Sequence, residues 1–314
     1  MIWLFVPSSL LLASCQTTPQ NLELIRRSQP LLGTFVTISA YGSNREKTQQ
    51  AVSEAFGEIQ RIDSLMSLHR ADSELNFLNS RGALEPVKVS PELFQVIAKA
   101  QEIAAETAGS FDITIRPLAD LWGFIWKEYR MPTDSELEAV LPRVNYKLIE
   151  IDPALQTIRF LKPGVSIDLG GIGKGYAVDG AIEKLQTFGI SKAMVKIGGD
   201  LRVIGSPPGK GHWTVQIEDP KKEGHRHNIS LRDAALSTSG NYENFFTIKG
   251  KRFSHILNPR TGLPIQNVSA CTVSASTCTE SDAYATAFFV YGRDRTLEKF
   301  GGKLKIQFTP VAMK

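Results

Sequence analysis

Three cysteines in 314 residues, with no CxxC pair and no Cys/His cluster, exclude a disulfide-built scaffold and a zinc site of the usual spacing. Cys271 and Cys278 read as buried thiols, and their spacing leaves a bridge between them open. No apolar run reaches the roughly 20 residues that a bilayer-spanning helix needs. Blocks of like charge are also missing. The formal net charge of +4 is spread along the chain in short runs such as Lys221-Lys222, which excludes a basic stripe for nucleic acid. Neither an internal repeat nor a low-complexity segment occurs, so a solenoid is excluded too. At 42% hydrophobic residues, the chain has enough apolar material for one large domain or two closely joined ones.

Residues 1–15, MIWLFVPSSLLLASC, form an apolar run that ends in small residues and a cysteine, as a secretory signal does. Leu12-Ala13-Ser14-Cys15 has the form of a bacterial lipobox, with Cys15 as the lipidated residue, although no basic stretch precedes Ile2. The expected organisation is a signal over 1–15, a polar tether over 16–29 and a functional domain over 30–314.

Hydrophobic spacing predicts a strand over Phe35–Ala40 and an amphipathic helix over Thr48–Leu68, with Val52, Phe56, Ile59, Ile62 and Leu65 near helical period. Ser90-Pro91 supplies an N-cap and a first-turn proline for a helix to Thr107. From Ile149 onward the pattern changes to short apolar runs: 149–151, 157–160, 165–169, 193–197, 213–217, 245–248, 252–257 and 268–274. Helices are expected over Gly175–Phe188 and Ser281–Val290, and loops over 207–211 and 219–227. Clustered strands with segregated helices predict an α+β layered fold, with a mostly antiparallel sheet and flanking helices.

One stretch, DLGGIGKGY over Asp168–Tyr176, has four glycines and a lysine behind an aspartate. It fails the P-loop template, because Gly175 follows Lys174 where Ser or Thr is required. The dinucleotide fingerprint fails as well, because Tyr176 stands at the third glycine. What remains is physical. Glycines allow close approach to the backbone, a helix N-terminus offers free N–H groups, and Lys174 adds positive charge, so an anion fits. A ligand-free turn between strand and helix fits the same residues. Downstream, His255 stands ahead of a Pro/Gly-rich turn in HILNPRTGLP, and Asp282 and Thr286 share one helical face at i, i+4. A carboxylate and a hydroxyl so placed suit oxygen coordination of Mg²⁺, and equally suit an aspartate favoured by a helix dipole beside a solvent-facing threonine.

Taken together, DLGGIGKGYAVD, KIGGDLRVIG, STSGNYENFF, FSHILNPRTGLPI and DAYATAFF, in this order and spacing, resemble the ApbE family of FAD:protein FMN transferases. LLGTFVTIS, MSLHRADSELN and GSFDITIRPLADLWGF extend the resemblance into the N-terminal third, so that it covers about residues 30 to 292. The resemblance implies an ApbE-like fold and an enzyme that binds FAD with Mg²⁺. Such an enzyme moves FMN onto a threonine or serine of a target flavoprotein, such as a subunit of a respiratory Na⁺-pumping complex, and releases AMP. It also implies a lipoprotein anchored at the inner membrane on the periplasmic side.

By motif, Gly171 (through its carbonyl), Asp282 and Thr286 match metal-binding positions, and His255 matches the proposed general base. Leu32, His69, Ser110, Phe111, Asp112, Asp168, Lys174 and Ile256 match positions that contact or border FAD. Leu32 replaces the family's usual methionine, and His69 stands where many members have a flavin-stacking tyrosine. Two alternatives share these residues: an Mg²⁺-dependent FAD pyrophosphatase that gives FMN and AMP, and a flavin-binding lipoprotein without chemistry. A flavin-dependent oxidoreductase is a third.

Overall fold

The computed structural model describes residues 21–218, 226–241, 245–248, 250–266 and 268–310. The hairpin β1 (Glu23–Leu31) and β2 (Thr34–Gly42) comes first, followed by α1 (Arg45–Met66), α2 (Glu74–Arg81), β3 (Val87–Lys88) and α3 (Pro91–Glu106). Next are α4 (Arg116–Trp122), α5 (Asp134–Val140), β4 (Ile149–Asp152), β5 (Thr157–Phe160) and α6 (Gly173–Thr187). The strands β6 (Ala193–Ile197), β7 (Asp200–Ile204), β8 (Trp213–Glu218), β9 (Arg226–Leu231), β10 (Ala234–Gly240), β11 (Phe245–Ile248), β12 (Lys251–Ser254) and β13 (Val268–Ala275) follow. The chain closes with α7 (Cys278–Tyr291), α8 (Arg293–Phe300) and β14 (Lys305–Pro310).

Among the described residues the central sheet has seven strands in the order β1-β2-β6-β7-β10-β13-β14, all antiparallel to their neighbours. Alternation along each strand divides its two faces. Val36, Ile38 and Ala40 of β2, Val195 and Ile197 of β6 and Val273 of β13 face a core filled by Phe56, Ile59, Val178, Ile182 and Phe288 from α1, α6 and α7. On the opposite face the β8–β9 hairpin packs Trp213, Val215 and Leu231 over Leu201, Val203 and Leu236. This is the expected α+β layered architecture. A smaller cluster of Leu118, Trp122, Phe124, Phe246, Phe253 and Leu257 ties α4 to β11 and β12. Among the described residues no helix is long and apolar enough to cross a membrane.

Local signals explain the boundaries that the sequence predicts well. Asn44 caps α1 by accepting the Lys47 N–H at 2.9 Å, and Ser90 caps α3 with Pro91 in its first turn. Elsewhere the structure departs from expectation. The tether expected over 16–29 is structured from Glu23 on: β1 pairs with β2 along its whole length, and polar residues suit its place at the sheet edge. Cys15 and residues 16–20 lie outside the described residues. The run 165–169 is extended but not a strand. Its groups are satisfied by a side chain and a turn instead: Ile167 exchanges two bonds with Asn79, at 2.7 and 3.0 Å, and the Asp168 N–H reaches the Ile113 carbonyl. The strand expected over 252–257 ends at Ser254, leaving His255 to Leu257 in a loop. Of the loop expected over 219–227, residues 219–225 lie outside the described residues and Arg226-His227 opens β9.

Cys271 in β13 and Cys278 at the start of α7 are free and buried, so no bridge joins them. Burial pushes both thiols far above the ordinary range, and the neighbouring carboxylates push Cys278 further. A Cys15→Ser chain is therefore expected to leave both thiols unreacted with Ellman's reagent at mildly alkaline pH while folded, and to release both on denaturation. Rapid stoichiometric labelling of the folded protein would contradict this burial.

Candidate active site

The site forms where the first turns of α6 and α7 meet at one end of the central sheet. Their approach depends on Gly175, where an added Cβ would stand 2.3 Å from the Cys278 carbonyl oxygen. The two helices then cap each other. Asp282 of α7 accepts the Gly175 N–H at 2.9 Å, and Asp179 of α6 accepts the N–H groups of Cys278 and Thr279 at 2.9 and 2.8 Å. Free N–H groups at a helix start need such acceptors, and a carboxylate there also opposes the helix dipole. Arg202 of β7 balances Asp179 at 2.8 Å.

Next to this junction, Lys174 contacts Asp200 directly and lies 3.6 Å from Asp282 Oδ1. Asp200 and Asp282 are only 2% and 3% exposed, so two buried carboxylates face one ammonium. Burial raises the Asp282 carboxyl above its usual range, the charge of Asp200 raises it further, and Lys174 opposes both. The excess negative charge and oxygen-only donors suit a hard divalent cation such as Mg²⁺. Thr286 lies one turn after Asp282, its hydroxyl 3.1 Å from that of Ser239. Gly171 brings the glycine loop against the same helix. An added Cβ there would lie 3.4 Å from Thr286 Oγ1 and 3.2 Å from the Phe111 ring.

These groups form part of the wall of a cavity of about 200 Å³. Of the expected site residues, Ser110, Phe111, Asp112, Asp168, Gly171, Lys174, His255, Ile256, Asp282 and Thr286 all line it. It is below the ~300–1,000 Å³ usual for a site that engulfs a drug-sized ligand. Asp168 is raised mainly by burial, against the Gly170 N–H at 2.8 Å and the charge of Arg116. His255 opens the loop after β12, which is fixed by the Ile265 N–H on the Ile256 carbonyl and by Trp122 Nε1 on the Gly262 carbonyl, 2.9 and 2.8 Å.

Leu32 and His69 do not line this cavity, and Asp112 does so through a carboxylate already bonded to the protein. Leu32 sits with Gly33 in the β1–β2 turn, both at positive φ (54° and 69°), and packs on the main core, away from the cavity wall. His69 is exposed beyond the wall, edge-on to Trp126 at 5.6 Å. Asp112 lines the cavity, but its carboxylate is committed to the protein. It accepts the Thr114 N–H and hydroxyl and the Tyr146 N–H, all within 2.9 Å, and so builds the wall.

Sequence reasoning missed Asp200, Asp179 and Ser239. The one available signal for Asp200 is a carboxylate between apolar Ile197 and Leu201 just after a Gly-Gly turn. Such a group is buried only if paired.

The ApbE family profile matches residues 32–306. An FAD:protein FMN transferase of Vibrio cholerae is 35% identical over 305 residues, covering 93% of this chain and 88% of that protein. Its counterpart in Haemophilus influenzae is 32% identical, covering 93% and 87%. Among solved structures, the ApbE protein of Thermotoga maritima superimposes with a TM-score of 0.85 at 33% identity, covering 92% of this chain and 94% of that one. With the glycine loop, the buried carboxylates and the α7 pair assembled in one cavity, these matches show that the chain belongs to the ApbE family.

Proposed function

We propose that the protein is an FAD:protein FMN transferase, which uses Mg²⁺ to move FMN from FAD onto a threonine or serine hydroxyl of a target flavoprotein and releases AMP. The observation that carries this reading is the Lys174–Asp282 pair, backed by the buried Asp200, on the wall of a cavity that His255 also lines. The names of the 35% and 32% identical relatives support it. Phosphoryl transfer asks a protein chiefly for positioning and charge neutralisation, and this cavity offers both.

Asp282, Thr286 and the Gly171 carbonyl would hold Mg²⁺. When bound, the ion offsets charge on the pyrophosphate oxygens and makes the FMN-side phosphorus more electrophilic. Lys174 supplies a fixed positive charge, aimed by Asp200. The hydroxyl oxygen forms a bond to the FMN-side phosphorus while the phosphoanhydride bond breaks. AMP departs with the bridging oxygen, and His255 takes the hydroxyl proton. Phe111 and Ile256 supply apolar surface to the cavity wall.

A target such as a subunit of a Na⁺-pumping respiratory complex fits this chemistry. Leu12–Cys15 supports lipid anchoring on the periplasmic side of the inner membrane.

The test incubates the full chain with FAD, MgCl₂ and a peptide carrying an (S/T)GA(S/T)-type acceptor. Peptide that gains FMN, with AMP in equal amount, is the expected result. AMP and free FMN without modified peptide would make it a pyrophosphatase, and intact bound FAD would make it a binding protein.

A further inference from the structure

A threonine in a helix has a ready partner for its hydroxyl in the carbonyl one turn back, which is why it divides between two rotamers there. Thr48, Thr107 and Thr296 all take that partner, each donating at 2.7 Å, to the carbonyls of Asn44, Ile103 and Gly292. Thr286 departs from this habit. Its hydroxyl pairs at 3.1 Å with that of Ser239, across on the sheet, in place of the Asp282 carbonyl. Both residues line the cavity, and Oγ1 stands beside the glycine loop, 3.4 Å from where a Cβ at Gly171 would lie.

Ser239 reaches Thr286 because of its place on β10. Strand alternation puts Ser237 and Ser239 on the face that α7 covers, and Thr238 on the other, where it bonds Thr272. Ser237 makes a similar bond to α7, 2.8 Å to the Ser281 hydroxyl, but neither of that pair is among the described residues that line the cavity. Two hydroxyl bridges therefore join the same strand to the same helix, and one of them ends at the site.

We propose that Ser239 is a positioning residue for the divalent cation. Its hydroxyl accepts the hydrogen of Thr286 and so leaves a lone pair of Oγ1 for the ion. The proposal rests on the Mg²⁺ site of the transferase reading. A hydroxyl binds a hard cation through its oxygen, so its hydrogen needs an acceptor elsewhere. Without Ser239 the carbonyl of Asp282 becomes the available acceptor, and Oγ1 turns back to its own helix.

The test titrates Mn²⁺ into the full chain with FAD present and reads free Mn²⁺ by electron paramagnetic resonance. Outer-shell partners are worth about 10- to 100-fold in metal affinity, and Ser239→Ala is expected at the lower end, about tenfold weaker. Ser239→Thr, which keeps the hydroxyl, should bind close to the parent. Ser237→Ala is the control: it removes the neighbouring bridge and should leave Mn²⁺ affinity unchanged. Thermal melting without metal confirms that each variant is folded. In turnover, the Mg²⁺ requirement of Ser239→Ala should rise while its rate at saturating Mg²⁺ stays near the parent's. Parent-like Mn²⁺ affinity in Ser239→Ala overturns the proposal, and so does an equal loss in Ser237→Ala, which would make both bridges packing contacts. A parent that takes up no Mn²⁺ removes the ion and the proposal with it. If Mn²⁺ binding depends on Ser239 yet the acceptor peptide never gains FMN and no AMP appears, the transferase reading fails and the role of Ser239 stands.

Discussion

Replacing Asp282 by asparagine is expected to cut Mg²⁺-dependent FMN transfer about a thousandfold, while the metal-free protein melts no lower than the parent. The loss follows from removing the charged ligand of the proposed ion. Several kcal/mol of charge stabilisation reside in such an ion, and about 4 kcal/mol corresponds to a thousandfold in rate. The unchanged stability follows from the surroundings. Asparagine keeps an oxygen for the Gly175 N–H, and its neutrality leaves Asp200 and Lys174 as a matched pair in place of two carboxylates facing one ammonium. Asp282→Ala should behave differently, because it removes the cap of α6 and leaves a void at a buried position, so its melting temperature should fall as well. Turnover and thermal melting of both variants, with and without MgCl₂, check this. Full Mg²⁺-dependent turnover of Asp282→Asn would end the metal assignment.

His255→Ala should slow transfer by about a hundred- to ten-thousand-fold, the range that a positioned general base contributes. FAD affinity should hold within about twofold, because the fixed charge of Lys174 and the rest of the cavity wall remain. Added imidazole should restore part of the rate, since a small base can occupy the space left in the wall. Rescue separates proton transfer from a structural role: a histidine that only braces the loop after β12 would leave a variant that imidazole does not help. Transfer at the parent rate without imidazole would remove His255 from the chemistry. Together the two variants separate charge neutralisation from proton transfer, which act on different oxygens of the same reaction.

Several elements were legible because their cause is local. The 3.6-residue spacing of Val52, Phe56, Ile59 and Ile62 places all four in the core, and it can be counted without knowing what covers them. Ser90-Pro91 begins α3 as expected, since a cap and its N–H group lie three residues apart. Likewise Asp282 and Thr286 share a face of α7 because helical geometry alone puts them there.

Other features failed for equally physical reasons. Val165–Leu169 has a strand's composition, but its partners are Asn79 and Ile113, and no local pattern names a side chain 88 residues away as the ladder. β10, AALSTSG, is the strand between β7 and β13, yet apart from Leu236 it consists of small residues, which carry little hydrophobic signal. β1 reads as a polar tether because an edge strand needs few apolar residues.

The sequence by itself therefore determined the helices that carry the site, the glycine loop and its lysine, and, through motif order, the family. Tertiary structure alone decided which groups Lys174 faces. Asp200 lies 26 residues beyond Lys174, Asp282 caps α6 across 107 residues, and Asp179 returns the favour to α7 across 99. Periodicity fixes which way a side chain points from its own element. Which elements meet depends on burying all the apolar faces at once, and that is a property of the folded chain as a whole.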